Sequence, residues 1–150
     1  MVNVSTSFQY TALEPERDEP IFLADFSVED LKKIYSIGEV CNFAAGEIMV
    51  TEWVNDPSIY IIIDGTAEVL IAMRNGWYKL ASLGPAGVFG EMSFFDRLPR
   101  SARVVVLTDC EVLKIGEEAF QRLRVEETSL PLGLILDLGK ILSHRLRHMN

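Results

Sequence analysis

Length, composition and charge exclude several classes of protein before any motif is considered. The chain has 150 residues, about one domain's worth, and 49% of them are hydrophobic, which is enough apolar material for one core. Fourteen Lys and Arg against 22 Asp and Glu give a formal net charge of −8. Because an acidic surface repels phosphate backbones, we expect no nucleic-acid binding by this chain alone.

The lack of targeting and disulfide signals predicts a cytoplasmic location and no membrane partner. No apolar run approaches the roughly 20 residues that a membrane helix needs, and the N-terminus has no basic and apolar stretch of the signal-peptide kind. The two cysteines, Cys41 and Cys110, are too few for a disulfide scaffold or a four-thiolate metal site, so we expect reduced thiols.

The N-terminal segment is predicted to be an arm, residues 1–21, that leads into a single domain of residues 22–150. The run Glu14–Pro20 places charges beside two prolines, which opposes regular structure. A helix is predicted to follow, because Ser27 is a good N-cap residue and Gly38 is a typical helix stop.

From about Cys41 to Ile115 the pattern is that of β-structure. Ile59–Ile63 reads as a strand that ends in a turn at Asp64-Gly65, and residues 67–73 alternate with period two as the next strand. Asn75-Gly76 predicts a type I′ hairpin turn. Many short strands with no intervening helix indicate a mainly β fold, a β-jelly-roll (double-stranded β-helix barrel) with flanking helices.

The end of the chain is predicted to change from strands to helices. The last two strands are Val104–Leu107 and Val112–Ile115, and a short helix then covers Glu117–Arg124. The C-terminal helix is predicted over residues 131–150. Its apolar stripe, which Arg145 interrupts, either packs on the barrel or forms part of a dimer seam, since two to three heptads are too few to decide. The stripe consists of Ile135, Leu138, Leu142 and Met149.

Residues 89–102 interrupt the barrel with side chains that suit a phosphate site. Gly90 has no Cβ, so a ligand can approach the backbone closely, and the residues after it can form a short helix whose N–H groups face an anion. Arg100 supplies a planar, permanently charged fork for two oxygens, and Ser101 adds a hydroxyl. Glu91 beside such a site is explained if it accepts a hydrogen bond from a sugar hydroxyl.

This segment resembles the phosphate-binding cassette of cyclic nucleotide-binding domains. The match consists of Phe-Gly-Glu at 89–91, a short helical stretch, and Pro-Arg-Ser-Ala at 99–102. The family includes the bacterial catabolite activator protein, the regulatory subunits of cAMP-dependent protein kinase, and cyclic nucleotide-gated channels. The nine-residue step from Glu91 to Arg100 is the spacing found in the kinase regulatory subunits. The resemblance covers about residues 22–150.

The resemblance implies a role for each matching residue. Glu91 would accept from the ribose 2′-hydroxyl, Arg100 would bind the exocyclic phosphate oxygens, and nearby backbone amides would complete the phosphate cradle. Residues of the preceding strand would line the base pocket, and the last turn of the final helix would read the base. The predicted ligand-binding residues are Leu80, Ala81, Gly90, Glu91, Met92, Ser93, Arg100, Ser101, Ala102 and Asn150.

The resemblance also implies a sensor module, with cAMP favoured over cGMP as the ligand and no other cofactor. Ligand binding would move a hinge near Glu126–Pro131 so that the C-terminal helix closes over the base. The expected macromolecular partner is a second copy bound through that helix or a protein effector. The chain stops at Asn150, where transcription factors of this family continue into a helix-turn-helix, so a stand-alone receptor and one domain of a longer protein both stay open.

Three other interpretations compete with this one. Arg100 and Glu91 could form an internal ion pair in a ligand-free scaffold that acts as a protein-interaction domain. Jelly rolls also occur in metal-dependent cupin enzymes, but the β region has no histidine and no nucleophile–base pair is evident, so we predict no enzyme activity. His144 and His148 are spaced as metal ligands can be, but no third ligand cluster accompanies them, so no metal site is predicted.

Overall fold

A computed structural model describes residues 19–126 and 129–148. It confirms the predicted class, a mainly β jelly roll with flanking helices. Within those two ranges, no helix is both long and apolar enough to cross a bilayer. In chain order, the elements are α1 (Val28–Ile37), β1 (Glu39–Phe43), β2 (Ile48–Val50), β3 (Ile59–Met73), β4 (Gly76–Leu83), β5 (Val88–Phe89), α2 (Glu91–Asp96), β6 (Arg103–Ile115), α3 (Glu117–Glu126) and α4 (Leu130–Arg147).

Two long antiparallel strands, β3 and β6, form the centre of the sheet. The strand order is β1-β6-β3-β4, and β2 and β5 add to β6 and β3 respectively. The prediction of a turn at Asp64-Gly65 is wrong, as is the division of β6 into two strands, because each pair of predicted strands is one continuous strand. Instead, the β3–β6 register shifts around Asp64-Gly65, and Gly65 adopts φ +99°. A bulge bends the strand without ending it.

The hairpin between β3 and β4 is present, but its turn residues differ from the prediction. Met73 pairs with Gly76, so the two connecting residues are Arg74 and Asn75. Both lie outside the positive-φ region, whereas Gly76 has φ +136°. A type I′ turn requires positive φ at both central residues, so the predicted turn type at Asn75-Gly76 is wrong.

The core has two parts, one inside the barrel and one between the barrel and the helices. The predicted apolar stripe of the C-terminal helix is shifted, because Ile135 is 37% exposed and Leu142 is only partly buried. Met149 lies outside the described residues. The residues of α4 that are buried in the helical part of the core are Leu130, Pro131, Leu134, Leu138 and Ile141.

The segment before α1 packs against α4 and brings the two ends of the described chain together. Phe22 is buried in the helical core, and the Leu23 amide donates to Asp137 Oδ2 at 2.7 Å. The predicted N-cap is confirmed, since Ser27 Oγ accepts from the Asp30 amide at 3.1 Å. Gly38 is the C-cap residue of α1, as predicted. This packing places residue 19 beside the last turns of α4.

Candidate functional site

A cavity of about 270 Å³ lies between the barrel, the segment 89–102 and the end of α4. The structure brings nine of the ten predicted residues together in its wall, and Asn150 lies outside the described residues. The nine are Leu80, Ala81, Gly90, Glu91, Met92, Ser93, Arg100, Ser101 and Ala102. The prediction missed four other polar residues of the wall, which are Glu19, His144, Arg145 and His148.

Gly90 lets the backbone and the guanidinium of Arg100 lie close together. Gly90 has φ +91°, a conformation that residues other than glycine rarely adopt. A Cβ at this position would lie 2.5 Å from Arg100 Nη1 and 2.5 Å from Ser58 O. Two independent constraints therefore require glycine here, the positive φ and the close approach of Arg100 and Ser58.

Helix α2 begins immediately after Gly90, so its first amides face the same cavity wall. The Phe94 amide is the first to bond within the helix, to Gly90 O at 3.1 Å. The amides of Glu91, Met92 and Ser93 have no intrahelical acceptor because a helix leaves its first N–H groups unbonded. The predicted short helix and its amide donors are therefore in place next to Arg100.

Arg100 is almost fully buried but is only partly satisfied. It is 5% exposed, its Nη2 donates to Ser58 O at 2.8 Å, and Asp56 Oδ2 lies 3.5 Å from the same nitrogen. Its Nε is buried with no hydrogen-bond partner anywhere in the described chain. A buried guanidinium with unused donors favours the entry of an anion.

The loop before β3 holds Arg100 in this position. The Trp53 amide donates to Arg100 O at 2.7 Å, and the Arg100 amide donates to Val54 O at 3.1 Å. Asp56 accepts from Ser58 Oγ and from Tyr60 OH, both at 2.7 Å. Sequence reasoning did not assign this role, because the loop lies more than 40 residues before Arg100 and carries no recognisable motif.

Asp56 and Tyr60 have shifted pKa values for reasons that the contacts explain. Burial raises the pKa of Asp56, but the hydrogen bonds from Tyr60 and Ser58 and the charge of Arg100 outweigh it, so the net pKa is below its usual value of 3.8. Burial and the hydrogen bond to Asp56 raise the pKa of Tyr60 far above its usual value. Asp56 is therefore an anion at neutral pH and partly balances Arg100.

Glu91 does not pair with Arg100, so the internal ion pair considered from the sequence is wrong. Glu91 Oε1 accepts from Arg145 Nη1 at 2.6 Å, and Arg145 also holds Glu19 through Nε at 2.7 Å and Nη2 at 3.1 Å. Arg145 Nη2 donates in addition to Val88 O at 3.0 Å. Four parts of the chain, namely the N-terminal segment, β5, α2 and α4, therefore meet at one guanidinium.

The two carboxylates favour the charged form of Arg145 and outweigh the effect of its burial on the pKa. Burial lowers the pKa of Arg145, but the hydrogen bonds and charges of Glu19 and Glu91 outweigh that cost and raise the pKa above its usual value. One signal could have found this residue. Leu134, Leu138 and Ile141 form the buried face of α4, and position 145 continues that face by one helical turn.

His144 and His148 form the remaining polar part of the wall. Their rings stack with centroids 4.0 Å apart, and His144 O lies 2.8 Å from His148 Nδ1. His144 Nε2 is buried without a partner in the described part of the chain. No group of three or more His, Cys, Asp or Glu arranged to hold a metal occurs among the described residues.

The cavity therefore offers three chemical environments to one ligand. Arg100 and the α2 amides form an anion-binding region, Glu91 supplies a hydrogen-bond acceptor, and apolar residues complete the wall. A ligand with an anionic group, a hydroxyl and an apolar ring system would match all three. The apolar part of the wall consists of Val50, Val69, Leu80, Ala81, Leu83, Val88, Phe89, Met92, Ala102 and Val104.

Comparisons with known proteins agree with this chemistry. The family model described as "Cyclic nucleotide-binding domain" matches residues 40–127. A cAMP-dependent protein kinase regulatory subunit of Hypocrea atroviridis is 29% identical over 106 residues, which are 71% of this chain and 22% of that protein. Glutaminase 2 of Bradyrhizobium diazoefficiens is 28% identical over 128 residues, which are 85% of this chain and 20% of that protein.

Solved structures support the same assignment at the level of the fold. The crystal structure of a cyclic nucleotide-binding domain from Methylobacillus flagellatus superposes with a TM-score of 0.79 at 23% identity, covering 97% of this chain and 81% of that one. The chain spans about a fifth of the length of the two curated relatives named above. The family match covers more than half of the 150 residues, and the chain therefore belongs to the cyclic nucleotide-binding domain family.

Proposed function

We propose that this domain is a regulatory module that binds a cyclic nucleotide in the cavity and has no catalytic activity of its own. Arg100 and the amides of α2, Ser101 and Ala102 bind the cyclic phosphate, and Glu91 accepts from the ribose 2′-hydroxyl. Leu80 and Ala81 contact the base. Asn150 is proposed to contact the base from the end of the C-terminal helix.

The observation that carries this proposal is the state of Arg100. A guanidinium that is 5% exposed and has a buried Nε without a partner in the described chain is costly unless a ligand uses it. Among the described residues, its one carboxylate partner is Asp56, whose Oδ2 lies 3.5 Å from Nη2, a longer distance than that of a charge-assisted hydrogen bond. A phosphate bound by the guanidinium fork would satisfy this demand.

We propose cAMP as the preferred ligand and α4 as the element that transmits the signal. The choice of cAMP over cGMP is supported by the presence of a cAMP-dependent protein kinase regulatory subunit among the relatives. Arg145 connects Glu91 in the cavity to α4, so a ligand that rearranges Glu91 also changes the contacts of that helix. A second copy of the chain or an effector protein that binds α4 would then have a different affinity for each position of that helix.

Calorimetric titration of the protein with cAMP and with cGMP tests the proposal. We expect micromolar or tighter binding of cAMP, weaker binding of cGMP, and a loss of about 100-fold in affinity for Arg100→Ala, since charge-assisted contacts to phosphate are strong. Arg97→Ala is the matched control, because Arg97 is also near α2 but is half-exposed and pairs with Glu117.

Each result assigns the site differently. Binding that Arg97→Ala keeps and Arg100→Ala loses supports the proposal, and the tighter nucleotide names the ligand. Equal losses in both variants would indicate a general effect of charge and contradict the specific role of Arg100. Absence of binding by the unaltered protein would leave the ligand-free scaffold as the function of this fold.

A further inference from the structure

We propose that Glu19 is a positioning residue for the ribose contact, because it restrains Arg145 so that one oxygen of Glu91 stays open to the ligand. This inference rests on the proposed function. It assigns a role in the site to a residue of the N-terminal segment, a segment that the sequence predicted to be an arm outside the domain.

The hydrogen bonds of Arg145 are divided between its two acidic partners. Glu19 accepts hydrogen bonds from Nε and Nη2 in a bidentate contact, and Nη2 also donates to Val88 O. Only Nη1 is left for Glu91, and it bonds Oε1 at 2.6 Å. In the described chain, Glu91 Oε2 has no hydrogen-bond partner, although the residue is only 7% exposed.

This division matters because a guanidinium prefers to bind a carboxylate through two parallel hydrogen bonds. If Glu19 were absent, the Nε and Nη2 edge of Arg145 would be free to turn toward Glu91. Arg145 would then bind both oxygens of Glu91 and occupy the acceptor that the ribose 2′-hydroxyl needs. Glu19 is thus expected to increase affinity for a ribose ligand without touching it.

The three charges together also explain why both acids are needed. Glu19, Glu91 and Arg145 carry a net charge of −1, so one carboxylate charge is in excess of what Arg145 neutralises. A hydroxyl donor that approaches Glu91 therefore meets an acceptor that keeps anionic character. With Glu19 removed, the remaining pair is neutral, and Glu91 becomes a weaker acceptor for the ribose.

Comparison of cAMP with 2′-deoxy-cAMP isolates this effect, since the second ligand lacks the hydroxyl that Glu91 would bind. A hydrogen bond to a charged group predicts that the unaltered protein binds cAMP about 10-fold more tightly. In Glu19→Gln, we expect this ratio to fall to about 2-fold, mostly through weaker cAMP binding, with the 2′-deoxy affinity nearly unchanged.

Asp137→Asn is the matched control. Asp137 holds the same segment to α4 by accepting from the Leu23 amide, but it has no contact with Arg145. If Glu19 acted only by fixing the segment, both variants would weaken the two ligands equally. We expect Asp137→Asn to leave the ratio of the two affinities at its original value.

A double-mutant cycle tests whether Glu19 acts through Arg145, and urea denaturation of each variant confirms that it is folded before its affinities are compared. In an Arg145→Gln background, no guanidinium can occupy Glu91, so adding Glu19→Gln should not change the ratio further. An unchanged ratio in the single Glu19→Gln variant, or an equal further drop in the Arg145→Gln background, overturns the proposal. If the unaltered protein binds neither ligand, the proposed function fails as well, which is a different result from binding with an unchanged ratio.

Discussion

Two arginines line the same cavity, and their surroundings differ in one respect that separates their roles. Arg100 is 5% exposed, donates to one carbonyl, lies 3.5 Å from one carboxylate oxygen, and has a buried Nε without a partner in the described chain. Arg145 donates four hydrogen bonds, three of them to the carboxylates of Glu19 and Glu91. Of the five N–H donors that a guanidinium carries, Arg145 uses four, whereas Arg100 leaves most of its donors unused.

This difference supports the proposal that Arg100 binds an anion and that Arg145 stabilises the fold. A buried cation with unsatisfied donors costs free energy in the ligand-free protein and recovers it when a ligand arrives. A cation that bridges two carboxylates stabilises the ligand-free protein and gains little from a further anion. Charge alone would make the two arginines equally good candidates for anion binding, whereas their hydrogen bonds distinguish them.

The largest effect is expected where the packing around Arg100 is tightest. Gly90→Ala combines an unfavourable positive φ with a Cβ 2.5 Å from both Arg100 Nη1 and Ser58 O. Strain of about 1–3 kcal/mol and overpacking of similar size together predict a loss of about 3–4 kcal/mol in the free energy of unfolding. Urea denaturation monitored by tryptophan fluorescence measures it.

Gly46→Ala is the control that separates the two causes. Gly46 has φ +92°, almost the same as Gly90, but a Cβ there would meet no atom within 4 Å. We expect a loss of only about 1–2 kcal/mol, the cost of the left-handed conformation. If the two variants lose equal stability, the contacts of the added Cβ with Arg100 and Ser58 do not contribute to the loss, and the account of Gly90 is wrong.

The next effect tests the structural role of Arg145 directly. Arg145→Ala leaves Glu19 and Glu91 without their common partner, and we expect a loss of about 2–3 kcal/mol without ligand. This is below the 3–5 kcal/mol of a fully buried pair, because the Arg145 side chain is 29% exposed. Arg100→Ala should cost only about 1 kcal/mol in the same protein, since its partners are few.

The order of the two losses is the result that matters. Denaturation of both variants without nucleotide should rank Arg145→Ala as the less stable, and titration with cAMP should rank Arg100→Ala as the weaker binder. One residue that dominates both measurements would contradict the separation into an anion-binding and a structural arginine.

The sequence predicted the Arg100 region far better than the Arg145 region, and the cause is separation along the chain. Gly90, Glu91 and Arg100 lie within 11 residues, so their spacing carries a recognisable pattern. Glu19 and Arg145 meet across 126 residues. A contact between charges so far apart leaves no local signal, and the sequence showed Arg145 only as an interruption of the apolar stripe of the last helix.

The fold shows the same limit at a smaller scale. Asp64-Gly65 reads as a turn, but the structure uses it as a bulge within β3. A turn and a bulge both draw on glycine at positive φ, and only the strand on the other side decides between them. A Cβ at Gly65 would lie 2.3 Å from Asp109 O of β6, a constraint that appears only once the two strands are paired.

The smallest expected effect concerns Asp56, which forms the ion pair with Arg100 in the part of the chain that the structure describes. Its pKa is lowered in the folded protein, so the unfolded chain binds more protons in acid and stability rises with pH in that range. The contribution is present above the usual pKa of 3.8 and is lost as the pH falls through the lower, folded value. The free energy of unfolding should be measured by denaturation from pH 5 down to the lowest pH at which the protein folds. It should fall less steeply for Asp56→Asn than for the unaltered protein.

Tyr60→Phe gives a graded version of this test. It removes one of the two hydrogen bonds that Asp56 accepts at 2.7 Å but keeps the carboxylate beside Arg100. The pKa of Asp56 should rise part of the way toward its usual value of 3.8. The slope of the free energy of unfolding against pH in acid should then lie between those of the unaltered protein and Asp56→Asn. If Tyr60→Phe matches the unaltered protein, the hydrogen bond from Tyr60 does not contribute to the lowered pKa of Asp56, and the Ser58 hydrogen bond and the charge of Arg100 account for it.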